Sequence, residues 1–232
     1  MKQRIWELDA LRGFCILCVI LVHLIFDLNY FLDLSIGNNA VFLTVQKYGG
    51  AVFVVLSGLC VTLGRRSFRR GVIVLGCGLL VTGVTYGLKL VGLDNGSISI
   101  WFGVLHLLGV CMILWPLLKR MPTWLLAVWG LALVVAGYAI ADTVITDNVW
   151  LYPLGFRVYG LGSGDYFPLM PNLGWFLLGA VLGRTLYRKQ TTLLPRVNYR
   201  CRPIWFLCWC GRHSLWIYLV HQPLLYGLLM LF

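Results

Sequence analysis

The sequence predicts an all-α polytopic membrane bundle of about seven helices, with the N-terminus inside and the C-terminus outside. Three observations predict it. First, 60% of the 232 residues are hydrophobic, only 12% are charged, and the mean hydropathy is +0.85. That is more apolar surface than a water-soluble domain needs. Second, apolar runs of roughly 20 residues, each long enough to cross a bilayer, recur along the chain. Third, the basic residues fall on alternate sides of those runs, as the bias of inner loops towards Lys and Arg requires.

The elements follow in order. Span one is Leu8–Leu28, followed by the loop Asn29–Lys47. Span two, Tyr48–Gly64, ends at the basic run Arg65-Arg66-Ser67-Phe68-Arg69-Arg70. Span three, Gly71–Leu93, contains Gly83 and Gly87; span four, Ile98–Leu118, is closed by Lys119-Arg120. Span five is Thr123–Ala141. A longer loop passes Asp142, Asp147, Arg157 and the glycine-rich Gly160–Gly164. Span six, Tyr166–Tyr187, contains Gly179 and Gly183, and a basic connector, Arg188–Arg202, leads to span seven, Ile204–Leu231. Both glycine pairs have the GxxxG spacing that lets helices approach closely. The whole chain, 1–232, reads as one transmembrane domain. The apolar run that follows Lys2 and Arg4 has intramembrane charges and no small-residue cleavage site, so the segment is expected to stay.

With the N-terminus inside, 16 of the 19 Lys and Arg lie on the inner side, and only Lys47, Lys89 and Arg157 lie outside. Six of the eight acids, Asp27, Asp33, Asp94, Asp142, Asp147 and Asp165, lie at the outer ends. The net charge of +11 therefore reflects topology and contact with membrane lipids, and no nucleic-acid partner is expected. No cysteine lies in an outer loop, so a disulfide framework is not expected, and Cys15-x-x-Cys18 reads as small apolar residues in a helix.

Span one departs from an ordinary anchor. At about 100° per residue, Asp9, Arg12, His23 and Asp27 share an arc of about 60°. Ionisable groups inside a bilayer are expensive and face a bundle interior, a partner or a water-filled path. His23 and Asp27 stand one turn apart, about 6 Å along the axis. A carboxylate beside an imidazole raises its basicity, as a general base requires; an intrahelical pair that satisfies itself is the structural alternative. His221 and Gln222 precede Pro223, which frees the Leu219 carbonyl and kinks the helix, so they line a polar cavity or stabilise the kink. His106 is a site residue or a buried histidine bonded to a neighbouring helix. Asp165 lines the outer mouth or caps span six. At the inner face, Arg12, Arg184 and Arg212-His213 match phosphate chemistry or simply follow the topology rule. The four histidines show no metal-ligand spacing such as HExxH, so no metal is expected.

Several blocks together resemble a known family. They are Arg4…Leu8-Asp9-Ala-Leu-Arg12-Gly13 with His23 and Asp27-Leu28; Gly50…Phe53…Ser57-Gly58; Gly103…Leu105-His106; Asp165-Tyr-Phe-Pro-Leu; and Gly211-Arg-His-Ser-Leu-Trp-Ile-Tyr-Leu-Val-His-Gln-Pro223. The chain resembles the transmembrane acyltransferase superfamily, in its bacterial branch related to heparan-α-glucosaminide N-acetyltransferase. The resemblance implies a multi-pass protein of the bacterial inner membrane. It would pass an acyl group, acetyl first among them, from cytoplasmic acyl-CoA to a hydroxyl or amine of an extracytoplasmic saccharide-like acceptor. It also implies that Arg12, Arg184 and Arg212, with His213 and Ser57, hold the acyl-CoA. His23 would be the general base, oriented by Asp27 or Asp165, with His106 and His221 as further candidates. In the animal relative the proposed catalytic histidine follows the first span. The loop Asn29–Lys47 has none, so the base role falls to His23 by inference. A homo-oligomer is compatible with the pattern. Two other classes compete: a proton-coupled transporter or flippase using the polar arc as a path, and a non-catalytic scaffold. The absence of inverted repeats weighs against the first, and the intramembrane charges against the second.

Overall fold

The computed structural model describes residues 5–32, 36, 40–92, 99–141, 145–197, 199 and 201–229. The predicted all-α class holds. Among the described residues eight helices run α1 Trp6–Leu32, α2 Ala40–Leu63, α3 Ser67–Leu90, α4 Val104–Leu118, α5 Thr123–Ala141, α6 Leu169–Leu186, α7 Arg202–Arg212 and α8 Ser214–Leu229. The only strands among the described residues are two parallel two-residue pieces, β1 Ile145–Thr146 and β2 Arg157–Val158, flanking a 3₁₀ turn at Val149–Leu154. Among the described residues four helices, α1, α2, α3 and α5, are long and apolar enough to cross a membrane.

The chain divides into two compact units. The first comprises residues 1–56 and 187–232, the second residues 57–186, so the division falls within α2. In the first unit α1 packs along α7 and α8. A Cβ on Gly13 would overlap the Leu207 carbonyl, and one on Gly211 would overlap the Asp9 carbonyl. Glycine at both positions lets the two backbones touch. Residues 9, 23 and 27 of α1 meet residues 211, 221 and 222 in ascending order. The first and last helices are therefore parallel, as helices separated by an even number of crossings must be.

In the second unit α3 packs antiparallel to α4, with Gly71 and Gly78 against Gly109 and His106. Likewise α5 packs antiparallel to α6, with Gly130 and Gly137 against Gly174 and Pro171. The end of α2 runs parallel to α6, with Gly58 on the Phe176 backbone and Gly183 on Leu59 and Thr62. Each direction matches the predicted alternation.

Four expectations are corrected. Span seven, expected as one helix from Ile204 to Leu231, is two helices meeting at His213 (φ −104°, ψ 14°). The backbone N–H and ring Nδ1–H of His213 both donate to the Trp209 carbonyl, at 3.2 and 2.9 Å, and this tightens the turn. Span four begins at Val104 rather than Ile98, because residues 99–103 stay outside the helix and find partners elsewhere. The Ile100 N–H donates to Thr85 Oγ1 and its carbonyl accepts from Thr82 Oγ1. The Trp101 N–H donates to Ser163 Oγ, while the Ser99 and Phe102 carbonyls accept from the amides of Gly164 and Phe167. With its polar groups satisfied this way, the segment needs no helix. Third, no described residue packs on the Gly83/Gly87 pair: a Cβ at either would meet nothing among them within 4 Å. Thr82 and Thr85 beside it make the contacts instead. The helix also starts earlier than expected at α2, whose first residues Ala40–Lys47 the sequence assigns to a loop.

Candidate functional site

The polar arc of α1 faces α7 and α8 over its full length. At the lower end, Arg12 Nη1 lies 3.4 Å from Asp9 Oδ1 and 3.4 Å from the Gly211 carbonyl. Both contacts are long, so the guanidinium is loosely held. Arg212 and His213 follow directly on α7, both exposed; Arg212 Nε donates to the Cys208 carbonyl at 3.2 Å. Glu7, on another face of α1, ties down the connector. It accepts from Thr192 Oγ1 at 2.8 Å and from the Leu193 N–H at 2.7 Å, while Trp6 stacks on Tyr199. Sequence reasoning missed this clasp, because nothing marks Thr192 as a partner 185 residues away.

At the upper end, Asp27 is 4% exposed and His221 is 7% exposed. The expected His23–Asp27 pair is not formed: Asp27 instead accepts from Gln222 Nε2, at 3.1 and 3.3 Å to its two oxygens. An i, i+4 spacing puts two side chains on one face without forcing contact, and the α8 amide reaches the carboxylate. His23 meets His221, their rings edge to face with centroids 5.1 Å apart. His221 Nδ1 bonds to the Tyr218 carbonyl. A carbonyl only accepts, so Nδ1 carries the proton and the basic lone pair sits on Nε2. Two parallel helices thus bring an imidazole pair and a carboxylate–amide pair within about one turn of each other. Such a cluster can take up and return a proton away from bulk water.

The second unit holds the remaining candidates. His106, 4% exposed, has both ring nitrogens engaged. Nδ1 accepts from the Gly103 N–H at 3.3 Å and Nε2 lies 3.2 Å from Thr82 Oγ1, which itself donates to Ile100. That network joins α3 to the start of α4. Asp165 accepts from the Val104 N–H at 3.1 Å. It therefore caps α4 from 61 residues away, where a carboxylate meets the positive end of the helix dipole, rather than capping α6. The neighbouring Tyr166 donates to the Tyr152 carbonyl at 2.7 Å and stacks on its ring at 4.3 Å. Burial, and then the Tyr152 phenol, push the Tyr166 hydroxyl well above its usual range, and burial does the same to Tyr152. Both therefore stay neutral and structural. Arg184 donates to the Met121 and Lys119 carbonyls, at 2.8 and 2.7 Å, with its guanidinium carbon 5.4 Å from the Trp115 ring centroid. It closes the C-terminal end of α4, where a cation is favoured. Ser57 is half-buried on α2, next to Gly58.

Fold and site define a class: a multi-pass membrane helix bundle with an imidazole–carboxylate cluster in its helix packing and basic side chains further along the same seam. Within that class the chain belongs to the family described as heparan-alpha-glucosaminide N-acetyltransferase, catalytic, whose model matches residues 4–223. The match supports a membrane acetyltransferase type of function. No curated protein and no solved structure matches the chain.

Proposed function

We propose that the protein transfers an acetyl group from cytoplasmic acetyl-CoA to an amine or hydroxyl of a saccharide-like acceptor across the bacterial inner membrane. One observation carries this reading: α1 bears a loosely held guanidinium and, 11 residues further on, an imidazole that meets a second imidazole and stands one turn from a buried carboxylate. That separation is about 16 Å along the helix. Arg12, with Arg212 and His213 beside it, would hold the donor's phosphates. The thioester would reach upward along the seam.

His23 is the general base, with His221 as its neighbour in the proton relay. The acceptor nitrogen or oxygen attacks the thioester carbonyl carbon, and its proton passes to imidazole. The carbon–sulfur bond then breaks, and the imidazolium returns the proton to the leaving thiolate. Asp27, one turn from His23, stabilises the imidazolium by charge without bonding it. Gln222 fixes the carboxylate in place. His106, Asp165 and Arg184 have structural partners and act outside this step.

Acetyl-CoA binding to purified protein in nanodiscs, measured by calorimetry, tests the donor half. Arg12→Ala and Arg212→Ala are each expected to weaken it about tenfold, the effect of losing one charge-assisted contact. No binding by the wild type would overturn the reading.

A further inference from the structure

The segment joining α5 to α6 turns apolar side chains outward on a backbone that is paired from within. Between residues 145 and 159 the charged residues are Asp147 and Arg157, one of each sign. Inward, Tyr152 and Val158 are buried. Outward, Trp150 is 88% exposed, Tyr159 82% and Ile145 68%, and Val149 is exposed as well. That is much bare apolar surface for a segment bathed in water. The Trp150 N–H donates to Asn148 Oδ1, the Leu151 N–H to the Asn148 carbonyl, the Gly155 N–H to the Tyr152 carbonyl and the Tyr159 N–H to the Thr146 carbonyl, each at 3.1 Å. Internal pairing of this kind is what a backbone needs where water is scarce. The height of the segment follows from α5. Its 19 residues rise about 28 Å, close to the roughly 30 Å of a bilayer's hydrocarbon core. Its exposed face, with Leu131, Val135 and Tyr138, runs to within a turn of its end. Chain leaving α5 therefore enters the headgroup layer, where Trp and Tyr side chains concentrate.

We propose that residues 145–159 are seated in the outer headgroup layer of the bilayer, with Ile145, Val149, Trp150 and Tyr159 inserted at its boundary with the acyl chains. The segment is then a lipid-bound cap on α5 and α6 rather than a loop in water. An isoleucine and a valine stand with the aromatic rings, and aliphatic side chains fit lipid rather than the hydroxyl-rich face of a saccharide. The opposed charges of Asp147 and Arg157 set no preference for anionic lipid, so zwitterionic lipid suffices. The inference is independent of the acetyl-transfer reading.

The test uses the full-length protein in phosphatidylcholine nanodiscs. A nitroxide is attached at Trp150→Cys or at Tyr159→Cys, in a parent carrying Cys201→Ser to remove the exposed native cysteine, and the signal of the labelled parent is subtracted. Power saturation compares relaxation by oxygen, which partitions into lipid, with relaxation by a water-soluble nickel chelate. The logarithm of that ratio, oxygen over chelate, is expected to be positive at both outer positions and negative at Lys189→Cys on the exposed connector. A negative value at both outer positions would overturn the proposal, and protection of those labels from the chelate by added glucosamine would then assign the surface to a saccharide. A positive value at one outer position and a negative value at the other would overturn it too, since the side chains are proposed to enter lipid together.

Discussion

His221→Ala is expected to lower acetyl transfer by roughly 10²–10⁴-fold, the usual contribution of a positioned acid–base group. His23→Ala should fall in the same range, because the two rings meet at 5.1 Å and the proposed relay passes one proton between them. The double variant should be little worse than the poorer single one, since groups that act as a unit are not additive. Acetyl-CoA binding should survive in all three, as the proposed phosphate site lies at the other end of α1. His106→Ala makes the contrast. Its ring is engaged by Gly103 and Thr82, so its loss should lower the thermal midpoint and leave the chemical step in the folded fraction intact. Initial rates with saturating donor, together with thermal melts, distinguish these outcomes.

The second large effect concerns folding. Gly211→Val would drive side-chain carbons into the Asp9 carbonyl, and Gly13→Leu would do the same at Leu207. Neither neighbour is a flexible side chain that can yield; both are helix backbone. Relief requires α1 and α7 to separate, which would pull His23 from His221 and Asp27 from Gln222. The cost is expected to exceed about 4 kcal/mol, in the range reserved for overpacking and broken buried networks. The readout is the yield of monodisperse protein after extraction. Gly83→Val is the control: among the described residues nothing lies within 4 Å of its added Cβ, so the yield should hold.

The polar arc of α1 was legible because helical periodicity depends only on residue spacing. Asp9, Arg12, His23 and Asp27 fall on one face whatever lies opposite, and α7 and α8 cover that face. The helix directions were legible for a similar reason, since alternating basic loops constrain every crossing at once. What escaped were pairings between distant residues. Nothing local says that Asp165 caps α4 rather than the adjacent α6, or that Gln222 rather than His23 takes Asp27. Arg184 matches phosphate chemistry in sequence, yet it finds the carbonyls of Lys119 and Met121 first. The break at His213 escaped because the apolar pattern continues through it, while its cause is a side chain competing for the Trp209 carbonyl. The glycine pair Gly83/Gly87 misled because its spacing is common in membrane helices, and the flanking threonines carried the contacts.

The most direct measurement is product formation by the purified wild type in nanodiscs, given acetyl-CoA labelled in the acetyl group and glucosamine as acceptor, alongside the His23→Ala/His221→Ala double variant. The account predicts labelled N-acetylglucosamine from the wild type and at least a hundredfold less from the variant. Equal product from both, or label that stays on acetyl-CoA with the wild type, would contradict it.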